Sequence, residues 1–194
     1  DNEFEAARQS EPSARITVTK NLMEQAQDEY PILKNYDIGY KESFGKSDNF
    51  LESWAPNEPG SEDYKRPSEL PIDKLGIEVF NPKTRPIDIL GDVTSHYLIN
   101  NNPTVQSAYS NFQNSLEPWQ KDHLQRQYQT AQEKFGEKRS YEDWEKNAGL
   151  PSYFRGYAFQ QWDRPEEMYT RDQRKKFDDL MTYLKDKKPN STGS

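Results

Sequence analysis

Hydrophobic residues recur every three to four positions through most of the C-terminal half of the chain, and this spacing predicts a mainly α fold. A clear case is the segment 104–116, where Val105, Ala108 and Phe112 fall on one face of a helix. We expect about six amphipathic helices around an aromatic core. Six helices are predicted at 19–30, 84–101, 104–116, 118–135, 151–162 and after Thr170, and a short additional one is predicted at 140–149.

Residues at the ends of these segments support the predicted boundaries. Gly136 follows the helix 118–135 as a C-cap. Ser140 and Thr170 each precede a helix, and Asp143 and Gln173 stand three positions further on. This is the spacing of a capping box, in which an N-cap side chain and a side chain three residues later satisfy each other's backbone N–H groups.

The stretch "GLPSYFRGYAFQQW" at 149–162 contains five aromatic residues in fourteen positions. In a helix that starts near Pro151 its apolar residues form one stripe, which favours a buried helix. A surface that stacks on a ligand would instead need exposed rings beside basic residues, and only Arg155 and Arg164 are close. We therefore predict core positions for the stripe Tyr153, Phe154, Tyr157, Ala158 and Trp162, and for Trp119, Tyr128, Phe135, Tyr141 and Trp144.

The segment 36–73 differs in kind because it is rich in proline and glycine, and its run "APNEPGSEDYKRP" cannot hold a helix. A loop this long inside a compact domain is usually functional or disordered. We expect an extended arm at 36–83 that wraps across the helical body and binds a partner protein. The candidate partner-binding aromatics on it are Tyr40, Phe44, Phe50, Trp54 and Tyr64.

A short strand is predicted inside this arm. "LGIEVF" at 75–80 alternates apolar and other residues and is rich in β-branched side chains. A partner strand could come from 36–40 or from 50–54, which predicts a minor β-hairpin or a two- or three-stranded sheet. The predicted organisation is a disordered tail at 1–17, an N-terminal helix at 18–35, the arm at 36–83, a helical core at 84–186 and a disordered tail at 187–194.

Composition restricts the size of the core. Of 194 residues, 31% are hydrophobic and 30% are charged, and the mean hydropathy is -1.22. These values lean toward disorder. The chain nevertheless holds 9 Phe, 12 Tyr and 4 Trp, and each buried ring removes on the order of 150–250 Å² from water. We expect one small aromatic-rich domain with a charged surface.

Charge and cysteine content exclude several function classes. The net charge is -7, and residues 1–80 carry 9 Lys/Arg against 17 Asp/Glu. Without a basic excess, nucleic acid is not expected as the main partner. An acidic inhibitor of a host factor, which mimics nucleic acid, stays an alternative. The absence of cysteine excludes disulfides, thiolate zinc sites and cysteine nucleophiles. No apolar run approaches the roughly 20 residues of a membrane span.

Asp88, Asp92 and His96 form the most suggestive chemical pattern, because their spacing puts two carboxylates and an imidazole along one helical ridge. Such a ridge could bind a divalent cation or orient His96 as a general base. The favoured interpretation is a solvated helix face on which His96 contacts Asp92. His123 is likewise expected at the surface. We expect no metal or other cofactor, and we keep a hydrolase acting on peptidoglycan or protein as an alternative.

Two runs of the chain carry a resemblance: "RPSELPIDKLGIEVFNPKTRPIDILGDVTSHYL" and "FGEKRSYEDWEKNAGLPSYFRGYAFQQW". They resemble segments of large virion-associated proteins of podovirus-type tailed bacteriophages. The resemblance spans roughly residues 52–184 and depends on short sequence segments such as "NPKTRPIDILGD" and "YFRGY". It carries over no active residues.

The resemblance implies a phage protein that works in the virion or in the infected bacterial cell. It also suggests a processed fragment of a longer polypeptide, and the partners expected are other virion proteins or that parent chain. The function predicted from the sequence is therefore a non-enzymatic structural or protein-interaction module of a virion, which binds a partner through the arm.

Overall fold

The computed structural model describes residues 12–36, 38–42, 51–54, 76–81, 83–158 and 164–186, and it describes the backbone alone at 12–19, 41–42, 51–54 and 157–158. The chain divides into two compact units. The first comprises residues 1–97 and 182–194, and the second comprises 98–181. Residues 1–11 of the expected N-terminal tail, the expected C-terminal tail at 187–194 and most of the expected arm lie outside the described residues.

The first unit contains two helices and a small sheet. Its elements are α1 (Pro12–Glu29), a 3₁₀ turn (Pro31–Asn35), β1 (Gly39–Glu42), β2 (Leu51–Trp54), β3 (Gly76–Val79), α2 (Pro86–Val93) and most of a π turn (Thr94–Leu98). Helix α1 begins at Pro12, not near residue 19, so part of the expected N-terminal tail is helical. Leu22, Met23 and Ala26 of α1 are buried, and α1 packs against β1 and α2. Pro31 starts the 3₁₀ turn after it.

The minor β element is a three-stranded mixed sheet with the strand order β1–β3–β2. β3 pairs with β1 in parallel and with β2 in antiparallel orientation. Its side chains Ile77 and Val79 are fully buried. The strand predicted at 75–80 is confirmed, and both of its possible partner segments pair with it. Because consecutive strands β1 and β2 are not neighbours, they do not form a hairpin.

The second unit is helical. Its elements are α3 (Ile99–Asn101), α4 (Pro103–Asn114), α5 (Pro118–Phe135), α6 (Tyr141–Trp144), a π turn (Glu145–Gly149), α7 (Leu150–Ala158), a 3₁₀ turn (Pro165–Glu167) and α8 (Arg171–Leu184), whose last three residues belong to the first unit. The mainly α fold is confirmed. The boundary between the units, after Tyr97, falls inside the helical core predicted at 84–186.

The helix caps predicted at Ser140 and Gly136 are confirmed in this unit, and Asn102 forms a further cap that was not predicted. Ser140 Oγ accepts the N–H of Asp143 at 3.2 Å at the start of α6. After α5, Gly136 adopts a left-handed conformation with φ of 66°, which glycine reaches without a Cβ penalty. Asn102 caps α4, because its Oδ1 accepts the N–H of Val105 at 3.1 Å.

An aromatic cluster forms the core of the second unit, with Phe112 of α4 at its centre. The Phe112 ring lies 5.3 Å from Phe177, 5.6 Å from Tyr153 and from Phe154, and 6.2 Å from Tyr169. Such spacings are typical of favourable aromatic pairs. Burial raises the pKa of Tyr153 to about 12. The prediction of a core helix at 151–162 is confirmed at Tyr153 and Phe154, and residues 159–162 lie outside the described part.

Two of the aromatic residues predicted in the core are exposed. The exposed fraction is 43% for Trp119 and 82% for Phe135. Both predictions were wrong because Trp119 lies in the first turn of α5 and Phe135 is its last residue. The ends of this helix extend past the elements that it packs against, so side chains there stay exposed even where the apolar spacing continues. Tyr128, Tyr141 and Trp144 do cluster, with ring centroids 5.4–6.1 Å apart.

A reciprocal pair of buried glutamines joins two helix starts in the second unit. Gln120 Nε2 donates to Gln173 Oε1 at 2.7 Å, and Gln173 Nε2 donates to Gln120 Oε1 at 3.1 Å. Each Oε1 also accepts the N–H of its own N-cap residue, at 2.9 Å for Glu117 and 3.0 Å for Thr170. The two capping boxes are thus joined side chain to side chain, and the box predicted at Thr170 is confirmed.

The remaining protons of both amides also have acceptors. Gln120 Nε2 donates to the Met168 carbonyl at 3.0 Å, and Gln173 Nε2 donates to Ser115 Oγ at 2.9 Å. Both side chains are buried. A buried polar group without its partner costs about 1–3 kcal/mol, so each glutamine depends strongly on the other.

We expect Gln120→Met to lower the free energy of unfolding by about 2–4 kcal/mol, because the N–H of Glu117 and the amide of Gln173 lose their buried partner. Urea unfolding followed by far-UV circular dichroism measures this change. Gln129→Met is the matched control, since Gln129 is exposed on the same helix, and it should change stability by less than about 0.5 kcal/mol. Equal losses in both variants would contradict a stabilising role of the pair.

Candidate functional site

The predicted ridge of Asp88, Asp92 and His96 is divided between two different contacts. Asp88 Oδ2 accepts the backbone N–H of Arg85 at 2.8 Å, and its Oδ1 lies 3.2 Å from Arg85 Nη2. Asp88 therefore caps α2 and pairs with the N-cap residue. It does not share a site with the other two residues.

Asp92 and His96 meet inside the first unit. His96 Nε2 lies 3.4 Å from Asp92 Oδ1, with side-chain exposure of 35% for His96 and 3% for Asp92. The predicted contact is present, but the prediction of a solvated face is wrong for Asp92. The physical reason is that α2 is packed on more than one side, and Ile89, Leu90 and Val93 are all fully buried.

This contact could orient an imidazole for proton transfer, since a carboxylate beside a half-exposed histidine is the usual support of a general base. The negative charge of Asp92 also acts inside the unit: burial first, and this charge second, raise the pKa of Tyr97. Across the described residues, no three histidine or acidic side chains converge as metal ligands would.

The candidate partner-binding aromatics of the arm are only partly within the described residues. Tyr40 lies on the edge strand β1 with 37% of its surface exposed. Trp54 ends β2, whose backbone alone is described. Phe44, Phe50 and Tyr64 lie outside the described residues, so the five are not brought together here.

The second unit holds an open groove of about 540 Å³, which we call the α5 groove. It lies between α5 and the segment from α6 through the π turn into α7. Ligand sites commonly have volumes of about 300–1,000 Å³. The α5 groove is defined by His123, Arg126, Ala131, Phe135, Trp144 and Gly149.

A π turn positions the floor of this groove. Residues Glu145–Gly149 widen the helix by one residue per turn, and such insertions occur frequently at functional sites. The backbone of Gly149 lies directly under the indole of Trp144, and a Cβ there would come within 2.6 Å of Trp144 Cη2. Any larger residue at position 149 would push the Trp144 ring away. The glycine therefore allows the ring to pack directly on the backbone at this position.

One cation and no carboxylate line the described part of the groove. Arg126 is exposed. His123 is half-buried, and its ring lies 5.6 Å from that of Tyr153, so its predicted surface position was wrong. Burial, and secondly the charge of Arg126, lower the pKa of His123. Its imidazole is therefore mostly neutral at pH 7, and Arg126 alone supplies the positive charge.

Sequence reasoning missed this groove because its residues were assigned to the core or to the surface one by one. A usable signal was present in the C-terminal part of α5. Ala131 and Phe135 continue a stripe that begins at His123, and Gly136 ends the helix directly after Phe135. Because the helix ends there, no further turn of α5 covers the Phe135 end of this stripe.

We expect Gly149→Ala to displace the Trp144 indole and to cost about 1–3 kcal/mol of stability, because the new methyl group overpacks the ring. Fluorotryptophan NMR should show a shifted Trp144 resonance, assigned with Trp144→Phe. Gly136→Ala is the matched control. It costs about 1 kcal/mol through its positive φ, but nothing lies within 4 Å of its Cβ position, so the Trp144 resonance should stay. An unmoved resonance in Gly149→Ala would contradict the proposed support of the floor.

Comparisons with protein families, with curated proteins and with solved structures find no match for this chain. Within the described part of the chain, no helix combines the length and apolar character that crossing a membrane requires.

Proposed function

We propose that this chain is a non-enzymatic structural or protein-interaction module of a bacteriophage virion. In this proposal the α5 groove binds a segment of a partner protein, and the extended arm adds further contacts. Other virion proteins, or a longer parent polypeptide, supply the partner. The protein acts in the virion or in the infected bacterial cell.

The observation that carries this proposal is the exposure of Phe135 beside the α5 groove. An aromatic side chain that is 82% exposed contributes little to the stability of the fold. Exposed apolar surface next to a concave site is typical of protein interaction sites, where aromatic residues and arginine are enriched. Arg126 and Phe135 on the same groove supply both residue types.

The arm supports the same interpretation in the first unit. Tyr40 exposes an aromatic ring on an edge strand, and edge strands commonly pair with extended segments of partner proteins. The virion context is supported by the resemblance of residues 52–184 to virion-associated phage proteins.

A second candidate function is a hydrolase acting on peptidoglycan or protein. The specific observation that favours it is the 3.4 Å contact between Asp92 Oδ1 and the half-exposed His96. A histidine oriented by a buried carboxylate is a suitable general base. Since the α5 groove belongs to the second unit and His96 to the first, the two candidates depend on different residues.

We expect a photo-crosslinking amino acid at position 135 to capture a partner polypeptide in assembled virions. A benzoylphenylalanine replacing Phe135 keeps an aromatic ring at the mouth of the groove. Cross-linked peptides identified by mass spectrometry should come from one virion protein or from a parent chain. The same substitution at Trp119 is the control, because Trp119 is also exposed on α5 but does not line the described part of the groove.

Two outcomes would overturn this proposal. The first is that peptide mass spectrometry does not detect the chain in purified virions. The second is that positions 119 and 135 capture the same mixture of proteins, which would indicate contact without a specific groove.

The hydrolase is tested separately by His96→Ala. We expect neither wild-type nor variant protein to clear cell-wall suspensions or to cleave casein, because the proposed function does not use His96 chemically. Clearing by the wild type that drops by 100-fold or more in His96→Ala would favour the hydrolase, since general-base catalysis contributes about 10²–10⁴-fold.

A further inference from the structure

We propose that the α5 groove recognises an acidic peptide segment that carries a large apolar anchor residue. This inference rests on the proposed interaction function and names the chemistry of the partner. The segment places a carboxylate on Arg126 and an aromatic or large aliphatic side chain between Phe135 and Trp144.

The charge of the groove selects an anion. Among the described residues, Arg126 has no carboxylate within ion-pair distance, whereas Arg85, Arg139 and Arg164 each have one. No described lining residue is acidic, although the chain contains 33 Asp and Glu. Asp122 lies one helical turn before Arg126 on α5, but the two side chains are not paired in the described structure. The fork of donors on Arg126 can therefore bind a carboxylate from outside.

The chain as a whole carries a net charge of -7, which disfavours a highly acidic partner at long range. This repulsion is screened beyond about 8 Å at physiological ionic strength. A carboxylate in direct contact with Arg126 is screened much less. The groove therefore favours a segment with one or two acidic residues over a polyacidic one.

The groove also suits an apolar side chain. Trp144, whose ring packs 5.4 Å from that of Tyr128, lines the groove together with Ala131 and Phe135. The ring of Phe135 is 82% exposed, so it can turn toward an inserted side chain. Burying an aromatic or leucine-sized anchor between the two rings removes Phe135 from water as well, and each such burial contributes about 1.5–3 kcal/mol.

The distance between the two subsites limits the length of the segment. Arg126 and Phe135 are nine positions apart on α5, which corresponds to a rise of about 13 Å along the helix axis and about half a turn around it. An extended segment needs about four residues for the rise alone, and the half turn adds to this length. We therefore expect at least four residues between the acidic residue and the anchor.

The test is selection of a random-peptide display library on the immobilised full chain. Wild-type protein should enrich peptides that combine Asp or Glu with Phe, Trp or Leu at the expected interval. Selected peptides should bind Arg126→Gln about tenfold more weakly, which corresponds to the loss of one charge-assisted contact. The same peptides should bind Phe135→Ala at least tenfold more weakly than they bind the wild type.

Three variants make the selection diagnostic, and all three change exposed residues, so folding should be retained. Arg126→Glu should reverse the preference toward basic peptides. Phe135→Ala should lose the apolar anchor preference. Trp119→Ala is the matched control and should enrich the same peptides as the wild type.

The inference is overturned if acidic peptides are still enriched by Arg126→Glu, if all proteins enrich the same set, or if wild type enriches none. Its failure differs from that of the proposed function. A specific cross-link from position 135 in virions without acidic selection would leave the interaction function standing with a different partner chemistry. Acidic selection by a chain that is absent from virions would leave the groove chemistry standing and remove the virion function.

Discussion

The reciprocal hydrogen bonds between Gln120 and Gln173 are the constraint on which the second unit depends. Both glutamines occupy the third position of a helix, and both use Oε1 to satisfy the backbone at that helix start. Each Nε2 then donates to the Oε1 of the other glutamine. Gln173 Nε2 also donates to Ser115 Oγ at the end of α4, and Gln120 Nε2 also donates to the carbonyl of Met168. In a low-dielectric interior a network of this kind is favourable only when every member is satisfied. The arrangement therefore tolerates one relative placement of α5 and α8.

The aromatic core is attached to this polar network through Tyr153. Its hydroxyl donates to the Met168 carbonyl that Gln120 also uses, and its backbone carbonyl accepts the hydroxyl of Tyr169 at 2.5 Å. The same two rings pack against Phe112. Tyrosines can thus replace aliphatic residues in the core because their hydroxyls find partners in it. This explains how a chain with only 31% hydrophobic residues still forms a core.

The helices could be predicted because their signals are local in the sequence. Features that depend on contacts between distant residues could not be predicted. The C-cap at Gly136 and the caps at Ser140 and Thr170 depend on residues within a few positions, so the pattern alone identified them. The pairing of Gln120 with Gln173 spans 53 positions and has no local signature. The burial of Asp92 could not be derived either, because it depends on how many sides of α2 are packed. The exposure of Phe135 depends on what covers the end of α5, which periodicity does not encode.

The α5 groove has a defined shape because the Trp144 ring that forms its floor packs against the backbone of Gly149. Trp144 cannot move toward Gly149, since its ring already lies against that backbone, and the π turn fixes the position of both residues in one helical segment. A rigid floor binds without first losing side-chain freedom, which lowers the entropic cost of association. The exposed parts of the site are then the side chains of Arg126 and Phe135, the two groups that would meet a partner first. In the proposed recognition, selectivity would follow from this division, because the floor limits the shape of the anchor residue while Arg126 selects an acidic residue elsewhere in the segment.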